Sequence, residues 1–243
     1  MLKHGWRFAP PARSSPLLCR LAPCYRAAVP RQRGPRPVSR RFTDQFAPAY
    51  LTLASIIQGV ALGALVQRVE ATYADFDAVD WALTAITFLV ILDVWHEYLM
   101  MVLAYVWIPT LVDSIVPFAF LAAELFMAHF VFHDLRHWLL AAGVCSLVGV
   151  GAAGAKVLQA RTLMEENREL HRVLAPQNRV RGLLAVVLAV LTLAAWAFYD
   201  RLRLEESALV VALVVLSAVS VLIASSVPYL NRILLFAQEH RAA

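Results

Sequence analysis

The chain has 243 residues, of which 60% are hydrophobic and 16% are charged, and its formal net charge is +5. Soluble domains average about 45–50% apolar and about 25% charged residues, so this composition excludes a disordered chain, a coiled coil and an ordinary soluble domain. It indicates a membrane protein.

Residues 1–45 are predicted to form a disordered basic arm. Residues 1–42 hold ten Lys or Arg residues and no Asp or Glu, and they are rich in proline. Such a segment buries too little apolar surface to fold alone. The plainest interpretation is a disordered cytoplasmic tail, or a stretch that results from a start codon placed too far upstream. An organelle transit peptide, binding to anionic lipid headgroups and binding to nucleic acid are the functional alternatives.

Six segments are apolar and long enough to be membrane-spanning helices, because about 20 apolar residues cross the hydrocarbon core of a bilayer. They are Tyr50–Val66, Trp81–Trp107, Thr110–Phe132, Trp138–Leu158, Val180–Tyr199 and Ser207–Leu230. The sequence therefore predicts an all-α polytopic membrane protein, a six-transmembrane-helix bundle. Its predicted parts are spans one to four in 46–158, a cytoplasmic helical connector in 159–179, spans five and six in 180–232 and a cytoplasmic tail in 233–243.

The distribution of Lys and Arg predicts the orientation, because positive residues concentrate on the cytoplasmic side. With the N-terminus in the cytoplasm, the arm holds ten, the region 158–180 counted with Lys156 and Arg181 holds six, and the C-terminal tail holds two. The outer loops hold four, which makes 18 inside against 4 outside. Both termini are therefore expected in the cytoplasm of a bacterial inner-membrane protein, or at an organelle membrane if the arm is a transit peptide.

The first span carries small residues at every fourth position, namely Ser55, Gly59 and Gly63. Such a ridge lets another helix backbone approach closely. We interpret it as packing within the bundle, with homodimerisation or a pore-lining face as alternatives.

The connector 159–179 has the charge pattern of a solvated helix, with pairs of opposite charge four and three residues apart. We expect a helix that continues from the fourth span to about Leu174 and is ended by Pro176. It is interpreted as a cytoplasmic stalk, and a docking surface for a partner helix is the alternative.

Four acidic residues lie inside the predicted spans, where each charged group costs at least about 2.5–3.5 kcal/mol on insertion. They are Asp93, Glu97, Asp113 and Glu124, all in the hairpin 81–132. At about 100° per residue, Asp93, His96 and Glu97 share one face of the second span. Asp113 and Glu124 share a face of the third. Asp93 and Glu124 are equally far from the turn between the two spans, so we expect them at the same depth and free to meet.

Two carboxylates close together at low dielectric cannot both be charged and unpaired. The sequence therefore favours a proton or cation path through Asp93, His96, Glu97 and Glu124, with Asp113 as its cytoplasmic exit. The alternative is a non-catalytic membrane subunit or scaffold, in which polar side chains hold helices together and the connector docks a partner.

A metal-dependent membrane enzyme is the third alternative. Asp93-x-x-His96 has the carboxylate-x-x-His spacing of di-iron bundles, although the pattern occurs once. His129, His133 and His137 are spaced by four, and this fragment alone resembles the His boxes of membrane desaturases and hydroxylases. We interpret these histidines as outer-interface anchors or sensors of external pH, and expect no bound metal and no cofactor.

The expected partners are the lipid bilayer, a second copy of the chain and a cytoplasmic protein at 159–179. Specific nucleic-acid binding is not expected. Cys19, Cys24 and Cys145 are so placed that they suggest neither a disulfide framework nor a zinc site.

Overall fold

The computed structural model describes residues 38–105, 110–162 and 165–242. Within these ranges the chain forms seven α-helices and one short 3-10 helix, Tyr73–Asp75, without any strand. The α-helices are α1 (Val38–Thr72), α2 (Ala78–Ala104), α3 (Leu111–His129), α4 (Leu135–Thr162), α5 (Glu165–Ala197), α6 (Ala208–Ala224) and α7 (Ser226–Ala242).

Six helical segments are long and apolar enough to cross a membrane. They are Phe46–Asp75, Ala78–Val102, Leu111–His129, Leu135–Leu158, Arg168–Ala197 and Ala208–Ile233. The prediction of an all-helical fold with six such segments is confirmed. The sixth segment joins α6 to the first half of α7 across a break at Ser225.

The boundaries of the predicted arm and first span differ from those in the structure. Helix α1 begins at Val38, so residues 38–45 are helical, although they were predicted to be disordered. The apolar segment begins at Phe46 rather than at Tyr50. The helix continues through Pro48 because this proline removes only a single backbone hydrogen bond. The rest of the predicted arm, 1–37, lies outside the described residues, and so do Cys19 and Cys24.

The predicted connector does not end at Pro176. Helix α5 begins at Glu165 and continues through Pro176 to Ala197. Leu170 and Leu174 are buried in a small core with Met100 of α2, and with Tyr229 and Ile233 of α7. Burial of these leucines stabilises the helix on the N-terminal side of the proline, and a long apolar run stabilises the other side. Residues 165–179 therefore belong to α5 and pack on the bundle.

A large apolar core joins α1, α2, α3, α4 and α6. Its largest fully buried side chain is Trp138 of α4, whose Nε1 donates a hydrogen bond to Thr87 Oγ1 of α2 at 3.0 Å. Helix α3 packs mainly against α1 and α4, and α4 packs closely on α5. An added Cβ at Gly143 would lie 2.6 Å from Leu193 Cδ2, so the Leu193 side chain would have to shift to admit a larger residue at this α4–α5 contact.

The two glycines of the α1 ridge have open space beside them within the part of the chain that the structure describes. Gly59 is exposed, and a Cβ built on Gly59 or Gly63 has no atom of the described residues within 4 Å. Ser55 accepts a hydrogen bond from Trp95 Nε1 at 3.3 Å. The described residues therefore give no support to packing of these two glycines within the bundle, and that interpretation stays a prediction beside homodimerisation and a pore-lining face. Helix α1 instead contacts α2 and α3 through the face that carries Ala54, Ala61 and Leu65.

Candidate functional site

Four charged side chains from three helices meet inside the bundle. Asp93 and Glu97 lie one turn apart on α2, where the period of the helix places them on one face. Arg181 Nη2 of α5 lies 3.3 Å from Asp93 Oδ1 and 2.7 Å from Glu97 Oε1. Lys156 Nζ of α4 lies 3.4 Å from Glu97 Oε2. We call Asp93, Glu97, Lys156 and Arg181 the ion-pair cluster.

The ion-pair cluster is largely shielded from the surroundings and is balanced in charge. The side chains of Lys156 and Arg181 are each 10% exposed, that of Asp93 is 12% exposed and that of Glu97 is 30% exposed. Two carboxylates face two cations, so no buried charge is left without a partner. Burial of such pairs costs desolvation free energy, but removal of one partner costs more because it leaves a buried charge uncompensated.

Arg181 also binds the break between α6 and α7. Its Nη1 donates to the Leu222 carbonyl oxygen at 3.1 Å and to Ser225 Oγ at 3.2 Å, and it also donates to Ser226 Oγ. The last carbonyls of a helix have no partner within the helix, and the negative end of the helix dipole attracts a cation. At the break, one guanidinium nitrogen is therefore bound by a carbonyl oxygen near the end of α6 and by two serine hydroxyl groups.

Lys156 lies between the carboxylate of Glu97 and two aromatic rings. Its Nζ is 5.9 Å from the centroid of the Tyr105 ring and 5.8 Å from that of the Tyr229 ring. Both distances permit a cation–π attraction. Burial raises the pKa of the Tyr105 phenol, so that ring stays neutral beside the ammonium group.

A cavity of about 180 Å³ reaches the ion-pair cluster. Residues of α1 to α6 line it, and the cavity is partly open. Its charged lining residues are Asp93, Glu97, Asp113, Lys156 and Arg181, and most of the remaining wall is apolar. The charged groups therefore border a space large enough for several water molecules or one small molecule.

The structure brings together some residues of the predicted path. Asp93 and Glu97 are in the ion-pair cluster, and His96 is half-buried beside them on α2. Asp113 lines the cavity and also caps α3, because Thr110 N and Thr110 Oγ1 each donate to its Oδ2 at 2.7 Å. The cap accounts for an acidic residue at this depth, since the first turn of a helix favours negative charge.

Glu124 does not meet Asp93. It is completely buried, and its neighbour is the Gln58 amide of α1. The two carboxylates were expected to meet because they are equally far from the turn between their helices. They do not meet, because α3 packs mainly against α1 and α4 rather than against α2. The predicted contact between Asp93 and Glu124 is therefore wrong, and Glu124 is not among the lining residues of the cavity.

The three histidines do not form one row on a helix. His129 is the last residue of α3, His133 lies in the following turn with φ of 54°, and His137 is in the first turn of α4. His133 Nδ1 lies 3.0 Å from Asp80 Oδ2, and His137 Nδ1 lies 2.8 Å from Asp134 Oδ1. The helix ends at His129, so the spacing of four no longer places the rings on one face.

Metal-ligand geometry occurs elsewhere than predicted. In the part of the chain that the structure describes, one group of potential ligands lies close enough for an ion, namely Asp77, Asp80 and His133. Two of these residues form the N-terminal cap of α2, where Asp77 and Asp80 accept each other's backbone N–H groups. Asp93 and His96 are not part of such a group, so the structure gives the metal-enzyme interpretation no support.

Lys156 and Arg181 are the site residues that the sequence interpretation missed. Both were counted as basic residues of the cytoplasmic side. A usable signal was present, because Lys156 lies inside the predicted fourth span and Arg181 inside the predicted fifth. A charged residue within a span calls for a partner of opposite sign, and the acids of the second span were available.

The sequence and structure were compared with protein-family models, with curated proteins and with solved structures, and none of them matches this chain.

Proposed function

We propose that this chain is a multi-pass membrane protein that moves protons, with the ion-pair cluster as the site of proton exchange. The observation that carries this proposal is the partly open cavity of about 180 Å³ whose charged wall contains Asp93, Glu97, Lys156 and Arg181. Water in the cavity would deliver protons to the two carboxylates. Because the wall around these two carboxylates is mostly apolar, proton exchange is limited to the ion-pair cluster.

A proton fits this site better than a metal cation does. The two carboxylates that would attract a free cation are already paired with Lys156 and Arg181, so the cluster offers such a cation no net attraction. A proton instead binds to a carboxylate that is already there. Arg181 contacts both acids, so when Asp93 accepts a proton, the guanidinium keeps Glu97 as its partner.

Proton flux into liposomes tests this proposal. Purified protein in liposomes with an imposed pH gradient is expected to collapse the gradient, as read by an enclosed pH-sensitive dye. Asp93→Asn and Glu97→Gln are expected to reduce that flux at least tenfold. Glu70→Gln, at an exposed position of α1, is the matched control and should retain the wild-type flux. Absence of flux in the wild-type protein, or equal flux in all four proteins, would overturn the proposal.

A second candidate is a membrane subunit in which the ion-pair cluster only fixes helix packing. The pairing of each carboxylate with a cation favours it, because polar contacts hold membrane helices together. Docking of a cytoplasmic partner at 159–179 would have to use the exposed positions of this segment, such as Arg172 and Val173, since Leu170 and Leu174 are buried. This candidate predicts no flux from any variant and a lower melting temperature for Asp93→Asn.

A further inference from the structure

A second polar site lies away from the ion-pair cluster. Both carboxyl oxygens of Glu124 and both amide atoms of Gln58 are buried and have no hydrogen-bond partner. Glu124 is 0% exposed and Gln58 is 4% exposed. The two side chains are neighbours across the α1–α3 contact. Buried polar groups in native proteins nearly always have partners, so four such atoms side by side require an explanation.

The surroundings of Glu124 contain no compensating positive charge among the described residues. The titratable groups that face it are the Tyr98 phenol of α2 and the Cys145 thiol of α4, and α1 contributes the uncharged Gln58. A carboxylate alone in such a place would cost far more than the fold can supply, and such groups become neutral instead. A protonated carboxyl group is an O–H donor and an acceptor at once.

Gln58 complements a protonated carboxyl group atom for atom. A carboxylic O–H can donate to an amide oxygen while the amide N–H donates to the carboxyl oxygen, so the two groups have the chemistry for a reciprocal pair of hydrogen bonds. A carboxylate would satisfy the amide N–H alone and would leave the amide oxygen facing a negative charge. The residue pair is therefore matched to the acid form of Glu124.

We propose that Glu124 and Gln58 form a proton-binding site, in which Glu124 is held as a carboxylic acid hydrogen-bonded to the Gln58 amide. Tyr98 and Cys145 connect this site to the cavity, because both are neighbours of Glu124 and both line the cavity wall. The Tyr98 hydroxyl is buried without a partner, so it is free to accept or donate a hydrogen bond between the two regions. A role for this proton in transport rests on the proposed function, but its binding to Glu124 does not.

Infrared spectroscopy tests this site without any flux measurement. The protein in lipid at neutral pH is expected to give the carbonyl band of a buried, hydrogen-bonded carboxylic acid, which shifts in deuterated water. Glu124→Gln should abolish the band, and Glu97→Gln should retain it. Gln58→Leu keeps the acid and removes its partner, so the band should move to the position of a free carboxylic acid. This third variant keeps the test valid if Glu124→Gln does not fold.

Three results would overturn the proposal. They are the absence of the band in the wild-type protein, its persistence in folded Glu124→Gln, and its loss when sodium or potassium ions are added, which would identify a metal cation as the ligand. Its failure is distinct from failure of the proposed function. A band without proton flux would refute only proton movement, and proton flux without a band would refute only the proton site at Glu124.

Discussion

Arg181 Nη2 on α5 and Glu97 Oε1 on α2 are 2.7 Å apart, although the two residues are far apart in the sequence. The contact fixes α5 to α2 at the level of the cavity. It also makes Arg181 a partner that two carboxylates share, so its loss affects both of them.

Replacement of Arg181 is therefore expected to destabilise the bundle. Arg181→Leu leaves Asp93 without its cation and Glu97 with Lys156 alone. Removal of one partner from a buried ion pair costs about 3–5 kcal/mol. The melting temperature in detergent should fall clearly. Arg179→Leu is the matched control, because Arg179 is exposed on the same helix, and its melting temperature should stay near that of the wild type. Equal melting of both variants would contradict the importance of the ion-pair cluster.

The α4–α5 contact is expected to be strained by a side chain at Gly143. An alanine Cβ there would lie 2.6 Å from two atoms of Leu193 and 3.1 Å from Thr192 Oγ1. Overpacking of this kind costs about 1–3 kcal/mol, so Gly143→Ala should melt earlier than the wild type. Gly59→Ala, which meets open space, should melt at the same temperature or slightly higher, because alanine is the better helix former. If Gly143→Ala proves as stable as Gly59→Ala, the close helix contact is refuted.

Gly59→Leu also separates the alternatives for the exposed ridge of α1. A monomer should tolerate the change, since no atom of the described residues lies within 4 Å of a Cβ there. A dimer that packs through this ridge should dissociate. Crosslinking in lipid, followed by gel electrophoresis under denaturing conditions, measures the dimer fraction. An unchanged dimer fraction would exclude the ridge as the dimer contact.

Asp80 is expected to be the most sensitive acidic residue at the opposite end of α2. It is 1% exposed, and it accepts backbone N–H groups from Asp77 at 3.2 Å and from His133 at 2.9 Å. Asp80→Asn replaces one oxygen with an N–H donor, which leaves a buried hydrogen bond unmade at a cost of about 1–3 kcal/mol. Thermal unfolding should report this loss. Asp75→Asn, at an exposed position nearby, should have no comparable effect.

The hydrogen bond between Trp138 and Thr87 gives a fifth prediction. Thr87→Val preserves the shape of the side chain but removes the acceptor of Trp138 Nε1, which lies 3.0 Å away. The indole N–H then stays buried and unpaired, and the free energy of unfolding should fall by about 1–3 kcal/mol. Trp138→Phe in the Thr87→Val background should cost less than it does in the wild type, because that bond is already lost. Additive effects in this double-mutant cycle would show that the two side chains do not interact.

The spacing of residues along α2 was enough to predict that Asp93 and Glu97 share a face, and hydrophobicity alone was enough to predict six long apolar helices. The partners of these acids were harder to predict. Lys156 and Arg181 lie near the ends of their predicted spans, where a basic residue is counted with the adjoining loop and used to predict the orientation of the chain. Whole helix faces pack against one another, and this packing decides which helices are neighbours. A single sequence does not reveal these neighbours. For that reason the sequence placed Glu124 beside Asp93, whereas the structure places it beside Gln58.

The contacts of Arg181 at the α6–α7 break have a consequence for the electrostatic potential in the cavity. Nη1 is held by the Leu222 carbonyl oxygen and by two serine hydroxyl groups, none of which titrates in acid. When Asp93 and Glu97 become protonated, the guanidinium therefore keeps its position. Lys156 is likewise held by the faces of Tyr105 and Tyr229. Acidification thus turns an electrically neutral ion-pair cluster into one that attracts anions.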